Sequence, residues 1–486
     1  MAKPATLRDS SDRRHLLRRL TFGTLPADEA ALGGKPVAAA FQSLWDAAKK
    51  AAPPKTPAPA QGTWTNKALR FTDTSSAEIV AKRAEVTASN ARDAETIRQW
   101  WLQEMISGPS PLRENLVLFF HSVFGGSGRT IDGPHALYGY NALLRRACFG
   151  TIPAMLDAMI LDPGMIMQES YDETKSEKPS EFSAGRILDN WTVGVGNYTP
   201  SDAMSLARAI TGWVLEAPKG QEPTKPLDPL AFRSNRRTGL VPVFHPEFFD
   251  SGLKTILGTT RGFGARDAIQ FLALHDATAR RFSKLLIRYF GVEDAAHRLE
   301  SELAATYRAT QGSIEALVRT LVLSDEFWSQ GSRWKLVKSP VHLAVGACRQ
   351  LELSTPPVAA ISAWLAPAGQ KILEAPNFGG DGWPGQEAWL APTERLAARY
   401  QLGAALFGGT TPWGLLPLAV SAQAGTPGRL PNTVQEAPIS ALVSRLDPAP
   451  GMDASVLERS LSAIPAEKRA QQAVIKILAM PEYQVA

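Results

Sequence analysis

One stretch restricts the fold more than any other. Leu112–Phe124 reads LRENLVLFFHSVF, and its second half is apolar on almost every side. A helix of that kind must be surrounded, so the rest of the chain is expected to pack around it. Ser110 and Pro111 supply a cap-plus-proline entry, and Gly125-Gly126-Ser127-Gly128 supplies the stop. Similar punctuation recurs along the chain. Thr199, Pro200 and Asp202 form a capping box with proline in the first turn, and Ser339-Pro340 repeats the entry. Helical spacing predicts helices over 12–22, 27–49, 75–107, 134–148, 152–169, 181–195, 200–212, 266–274, 277–290, 294–309, 312–323, 340–352, 393–407 and 453–481.

The expected fold is therefore mainly α: a large multi-helix single domain with a short irregular, β-containing insertion. N-terminal helices occupy 1–49, a Pro/Ala-rich linker 50–74, and the main helical body 75–486. The insertion, 214–263, loses the helical period and shows β-like pieces at Gly239–Phe244 and Lys254–Leu257. With 486 residues the chain is long enough for a large core. No run approaches the apolar length of a transmembrane helix. The opening residues, MAKPATLRDSSDRRHLL, lack the apolar stretch of a secretory signal, which points to a cytoplasmic location and leaves export on a signal-bearing partner open.

Charge excludes little. There are 52 basic and 47 acidic residues, an excess too small and too dispersed to indicate a specific nucleic-acid partner. The densest basic run, Arg13–Arg19, pairs its arginines around two leucines, as on the solvated face of an amphipathic helix. Cys148 and Cys348 stand in no metal-ligand spacing and read as small buried hydrophobes, with a single disulfide between them as the open alternative. The zinc-protease and P-loop motifs are absent, and Gly125–Arg129 fails the nucleophile elbow because Arg129 replaces its second glycine.

Three polar positions remain. His121 interrupts the most apolar helix, where its ring nitrogens need partners; a metal or carboxylate could supply one, and a hydrogen-bonded core histidine is the plainer reading. Glu181 opens the 181–195 helix on a face shared with Ala184, Gly185 and Leu188, which points it inward; the plainer reading is an acid complementing the helix dipole. Asp250 precedes Ser251-Gly252 with Lys254 nearby, as in an ordinary turn. None of the seven histidines is spaced to share a helix face with another.

The landmarks, taken in order, resemble the bacterial domain-of-unknown-function 1800 family across nearly the whole chain. They are His15–Gly23, Arg113-Glu114-Asn115 leading into Phe119-Phe120-His121, Pro179-Ser180-Glu181, Val193–Thr199, Ala207–Trp213, Asp250–Gly258, Val337-Lys338-Ser339-Pro340 and Gly382-Trp383-Pro384-Gly385. The resemblance implies no established reaction. It implies a protein partner, since the family often lies beside a second one resembling phosphatases and sulfatases. The chain departs from the family pattern at Val123, where a histidine is usual, at Phe249, where histidine precedes the aspartate, and at Arg186, where an acid is usual.

Two functions follow as expectations. One is a diverged acid/base or metal-dependent enzyme, with His121 and Glu181 catalytic and with His121, Glu181 and Asp250 holding a divalent metal. The other is a non-catalytic binding or assembly partner of the neighbouring phosphatase/sulfatase-like protein. The lost polar positions and the loop tryptophans Trp64, Trp334, Trp383 and Trp413 motivate it, although such tryptophans equally serve local packing.

Overall fold

The computed structural model describes residues 3–60, 76–131, 133–172, 174–216, 240–376, 382–383, 385–408 and 427–486. Among these residues the chain is a packed array of α-helices with two small antiparallel sheets, the mainly α fold expected. No described helix is long and apolar enough to cross a membrane.

The Pro111–Phe124 helix is central. All but two of its side chains are buried, and it packs against the Val37–Lys50, Ser76–Ser107 and Pro134–Ala147 helices. Its first turn carries a charge into the interior: Glu114 accepts from Arg145 at 2.6 Å and from Trp101 Nε1 at 2.8 Å. A buried carboxylate is tolerable only with such partners, and removing one is more costly than never having built the pair. Gly125 closes the helix at φ +78°, a left-handed conformation that favours glycine.

Several expected helices are shorter than their periodicity suggests. The 27–49 stretch is two helices, Pro26–Leu32 and Val37–Lys50, parted at Gly33-Gly34. The 152–169 stretch is Ile152–Met159 and Pro163–Glu169, because Asp162 starts a new helix by accepting from Met165 N–H. The 181–195 stretch is Glu181–Arg186 followed by a π-helical turn, Ile187–Trp191.

The basic run also needs correction. Arg18 and Arg19 are buried, not solvated. Arg18 pairs with Asp447 at 2.5 Å, and Arg19 donates to the carbonyls of Phe290, Gly291 and Ser332. These arginines tie the Ser10–Leu20 helix to distant parts of the chain. Cys148 and Cys348 are free and buried. Burial raises both thiols, Cys148 to about 12, which makes them poor nucleophiles.

Strand β1 (Trp213–Glu216) pairs with β2 (Val241–Phe244), and β3 (Lys254–Ile256) pairs with β4 (Thr259–Arg261). The expected β pieces are thus β2 and β3. Residues 217–239 lie outside the described residues, as do Trp64 and Trp413. The Pro200–Ala209 helix begins with the reciprocal Thr199/Asp202 capping box. Asp202 also accepts from Leu257 N–H at 2.7 Å, so the cap doubles as an anchor for the β3–β4 turn.

Candidate functional site

His121, Glu181 and Asp250 occupy three different environments. His121 is fully buried among the rings of Trp101, Tyr140 and Trp383. Its Nε2 accepts from Leu373 N–H at 3.0 Å, which places the ring proton on Nδ1. Nδ1 has no hydrogen-bond partner among the described residues. Burial, aided by Arg98, lowers the imidazole to about 3, so the ring is neutral. The same segment is held on both sides: Arg98 donates to Ile372 O and Gly128 N–H to Leu373 O. His121 therefore clamps a backbone.

Glu181 is exposed, which corrects its expected inward orientation. Asp250 is half-buried and receives Arg208 through two bonds, at 2.7 and 3.1 Å, and Gly252 N–H at 2.9 Å. Arg208 holds the carboxyl below its usual range. Lys254 is buried and donates to the carbonyls of Asp250 and Gly252. The cluster is a folded turn whose acceptors are already used. Among the described residues no three His, Cys, Asp or Glu side chains stand together as a metal would require.

The structure draws attention elsewhere. A cleft of about 440 Å³ lies between the Asp276–Tyr289 helix and the Val193–Asn197 turn. Arg280, Arg281, Lys284 and Arg288 line it from that one helix. Positions 280, 284 and 288 are successive i, i+4 neighbours, and 281 stands three residues before 284, so one face carries all four charges. Opposite, the π-helical turn delivers Asp189, which accepts from Tyr198 Oη–H at 2.9 Å. Arg280 and Lys284 have acidic neighbours, Asp276 at 3.1 Å and Glu300 at 3.6 Å, yet both side chains are more than half exposed. Such contacts are worth little and are readily exchanged for a ligand.

The turn has to be glycine-rich. Gly194 sits at φ +84°, and a Cβ there would come within 2.9 Å of Arg281 Cδ. Only glycine permits both the backbone conformation and the close passage of the arginine.

A second, smaller lobe of about 60 Å³ adjoins the first and shares Leu285 and Arg288 with it. Phe119, Tyr289, Trp383 and Trp389 form its aromatic walls, and Ser339 and His342 its polar edge. Ser339 caps the Pro340–Gln350 helix by accepting from His342 N–H. Its Oγ also lies 2.8 Å from His342 Nδ1, and His342 Nε2 lies 3.0 Å from Asn115 Oδ1.

The surrounding bonds settle which atom donates. Asn115 Nδ2 donates to Arg19 O and Leu20 O, so its Oδ1 faces His342 and Tyr289, whose hydroxyl donates at 2.7 Å. His342 Nε2 must therefore carry the proton, and the Nδ1 lone pair accepts from Ser339 Oγ–H. Burial and the nearby Lys338 lower His342 to about 4, keeping this ring neutral too.

Sequence reasoning passed over both lobes. Four cations on a helix look like any solvated face until a wall stands opposite them. Asn115 and His342 are 227 residues apart, and no local spacing joins them. The one available signal was the set of family-like stretches: Arg113–His121, Val193–Thr199, Val337–Pro340 and Gly382–Gly385 all contribute to the two lobes or their network.

Comparison with known proteins agrees with that ordering of landmarks. No curated protein and no solved structure matches the chain. The family model described as "Protein of unknown function (DUF1800)" matches residues 15–485, so the chain belongs to the DUF1800 family.

Proposed function

We propose that this protein binds a small oxyanionic molecule, one bearing phosphate or carboxylate groups, in the larger lobe. The observation that carries this reading is the convergence of Arg280, Arg281, Lys284 and Arg288 on one cavity whose lining, among the described residues, includes a single carboxylate, Asp189. Guanidinium forks match oxyanions through paired N–H donors, and a walled cleft screens such contacts less than open surface does. A metal-dependent enzyme has less support, because His121, Glu181 and Asp250 share no ligand shell.

Calorimetric titration with inorganic phosphate and pyrophosphate tests the proposal. We expect saturable binding that weakens as salt is raised and that drops by about tenfold or more, roughly 1.4 kcal/mol, in Arg281→Ala/Lys284→Ala. Absence of binding, or binding indifferent to the double substitution, removes the reading.

A second reading, a non-catalytic assembly partner, is favoured by the apolar side chains of Phe182, Val195 and Leu253, which are 62%, 64% and 69% exposed. It predicts that Phe182→Ser and Leu253→Ser weaken co-sedimentation with the neighbouring phosphatase/sulfatase-like protein and leave phosphate titration unchanged. Co-sedimentation that ignores both substitutions counts against it.

A further inference from the structure

We propose that the smaller lobe is an esterolytic centre in which Ser339 is the nucleophile, His342 its general base and Asn115 the residue that positions the base. The choice of substrate, a small carboxylic ester carrying an anionic group, rests on the anion-binding reading of the larger lobe; the nucleophile does not.

The geometry has three parts. Ser339 is half-buried at the cavity edge, with its Oγ–H directed to His342 Nδ1 at 2.8 Å. His342 is a neutral acceptor at that nitrogen because Asn115 Oδ1 takes the Nε2 proton, and Tyr289 and two backbone carbonyls hold the Asn115 amide in place. Hydroxyl, imidazole and orienting amide thus stand in the order required of an activated nucleophile. Finally, Arg288 borders both lobes, so an anion held by its guanidinium in the larger lobe leaves its attached atoms at the entrance of the smaller one.

The step balances with water as the only co-reactant. Ser339 Oγ bonds to the ester carbonyl carbon while its proton passes to His342 Nδ1. The tetrahedral adduct collapses, the bond to the alcohol oxygen breaks, and the departing alcohol takes the proton from His342. Water then attacks the acyl-serine and yields a proton to His342. The Oγ–acyl bond breaks, Ser339 recovers the proton, and the carboxylic acid leaves.

Ser339 is also a helix cap, so the test separates the two roles. Asparagine is an equally good cap and has no hydroxyl. The full chain is treated with an uncharged fluorophosphonate, which would phosphonylate an activated serine with loss of fluoride, and is then examined by intact and peptide mass spectrometry. We expect one adduct, on Ser339, absent in Ser339→Asn and formed about a hundredfold more slowly in His342→Gln.

In parallel, mono-4-nitrophenyl succinate is expected to be hydrolysed about tenfold faster than 4-nitrophenyl acetate, a preference lost in Arg288→Gln. With ring-¹⁵N histidine, NMR should show His342 as a single tautomer, unprotonated at Nδ1, that becomes mixed in Asn115→Ala.

No adduct on the folded wild type, or an adduct that survives Ser339→Asn, overturns the nucleophile even if phosphate binds. An adduct on Ser339 with neither phosphate binding nor ester preference sustains the nucleophile and overturns the anionic substrate. A mixed tautomer in the wild type overturns the role of Asn115.

Discussion

His121 and His342 make an instructive pair. Both sit on helices, both are neutral, and both have Nε2 in a hydrogen bond. The difference is the direction of that bond. At His121, Nε2 accepts from Leu373 N–H, which uses the lone pair and leaves the proton on a nitrogen without a hydrogen-bond partner among the described residues. At His342, Nε2 donates to Asn115, which frees the Nδ1 lone pair for a hydroxyl at a cavity wall. Burial and depressed basicity are common to both and do not distinguish them. The tautomer imposed by neighbouring groups, together with access to a cavity, decides which imidazole can move a proton.

That contrast can be broken at several levels. The largest effect is expected from His121→Ala, which opens a cavity among three aromatic rings and strands Leu373 N–H. It should cost about 3–5 kcal/mol in urea denaturation. Fluorophosphonate labelling of whatever fraction stays folded should be unchanged; its loss would place His121 in the chemistry after all.

Acid should reveal the same residue. The imidazole titrates at about 3 folded and near its ordinary value unfolded, so its stabilising contribution is complete above pH 6.5 and is lost as pH falls through about 3. The slope is about 1.4 kcal/mol per pH unit between those values. Asp162 and Glu169, both raised to about 7 by burial, act with the opposite sign: their contribution is complete at acid pH and is lost as pH rises through 7. The measurement is therefore the difference in denaturation midpoint between wild type and His121→Gln from pH 7 to pH 4. Wild type should lose relative stability as pH falls; a constant difference would contradict the assignment.

His342→Gln should show the converse, a modest stability loss of about 1 kcal/mol with labelling nearly abolished. Equal losses of stability and labelling would erase the distinction between the two histidines. The smallest effects belong to the turn and the exposed acid. Asp250→Ala should cost about 1 kcal/mol by releasing Arg208, and Glu181→Gln should stay within about 0.5 kcal/mol. Elemental analysis should find no stoichiometric metal that any of these substitutions removes. A stoichiometric metal lost on changing His121, Glu181 or Asp250 would restore the metal-dependent reading.

Legibility followed the range of the forces involved. The Pro111, Pro200 and Pro340 entries were readable because a cap and a proline act on their own first turn. The breaks at Gly33-Gly34 and Asp162-Pro163 carried signals of the same local kind, but apolar periodicity ran across them and outweighed the punctuation. The π-helical turn that presents Asp189 had no such signal. Arg18 and Arg19 were misread because guanidinium burial depends on acceptors, Asp447 and the carbonyls of Phe290, Gly291 and Ser332, that lie hundreds of residues away. Glu181 was misread because a short helix offers two faces and only packing selects one.

The sequence alone determined the fold class, the apolar helix at its centre and the family. Each of these depends on composition, periodicity or the order of landmarks, properties that a linear chain carries by itself. Only the tertiary structure decided the site. It gathered Asn115, Ser339 and His342 into one hydrogen-bonded chain, set Asp189 opposite four cations of one helix, and sealed His121 behind aromatic rings. A hydrogen bond selects its partner by distance and direction in space, and a lone pair becomes a base or a clamp according to what stands within about 3 Å of it.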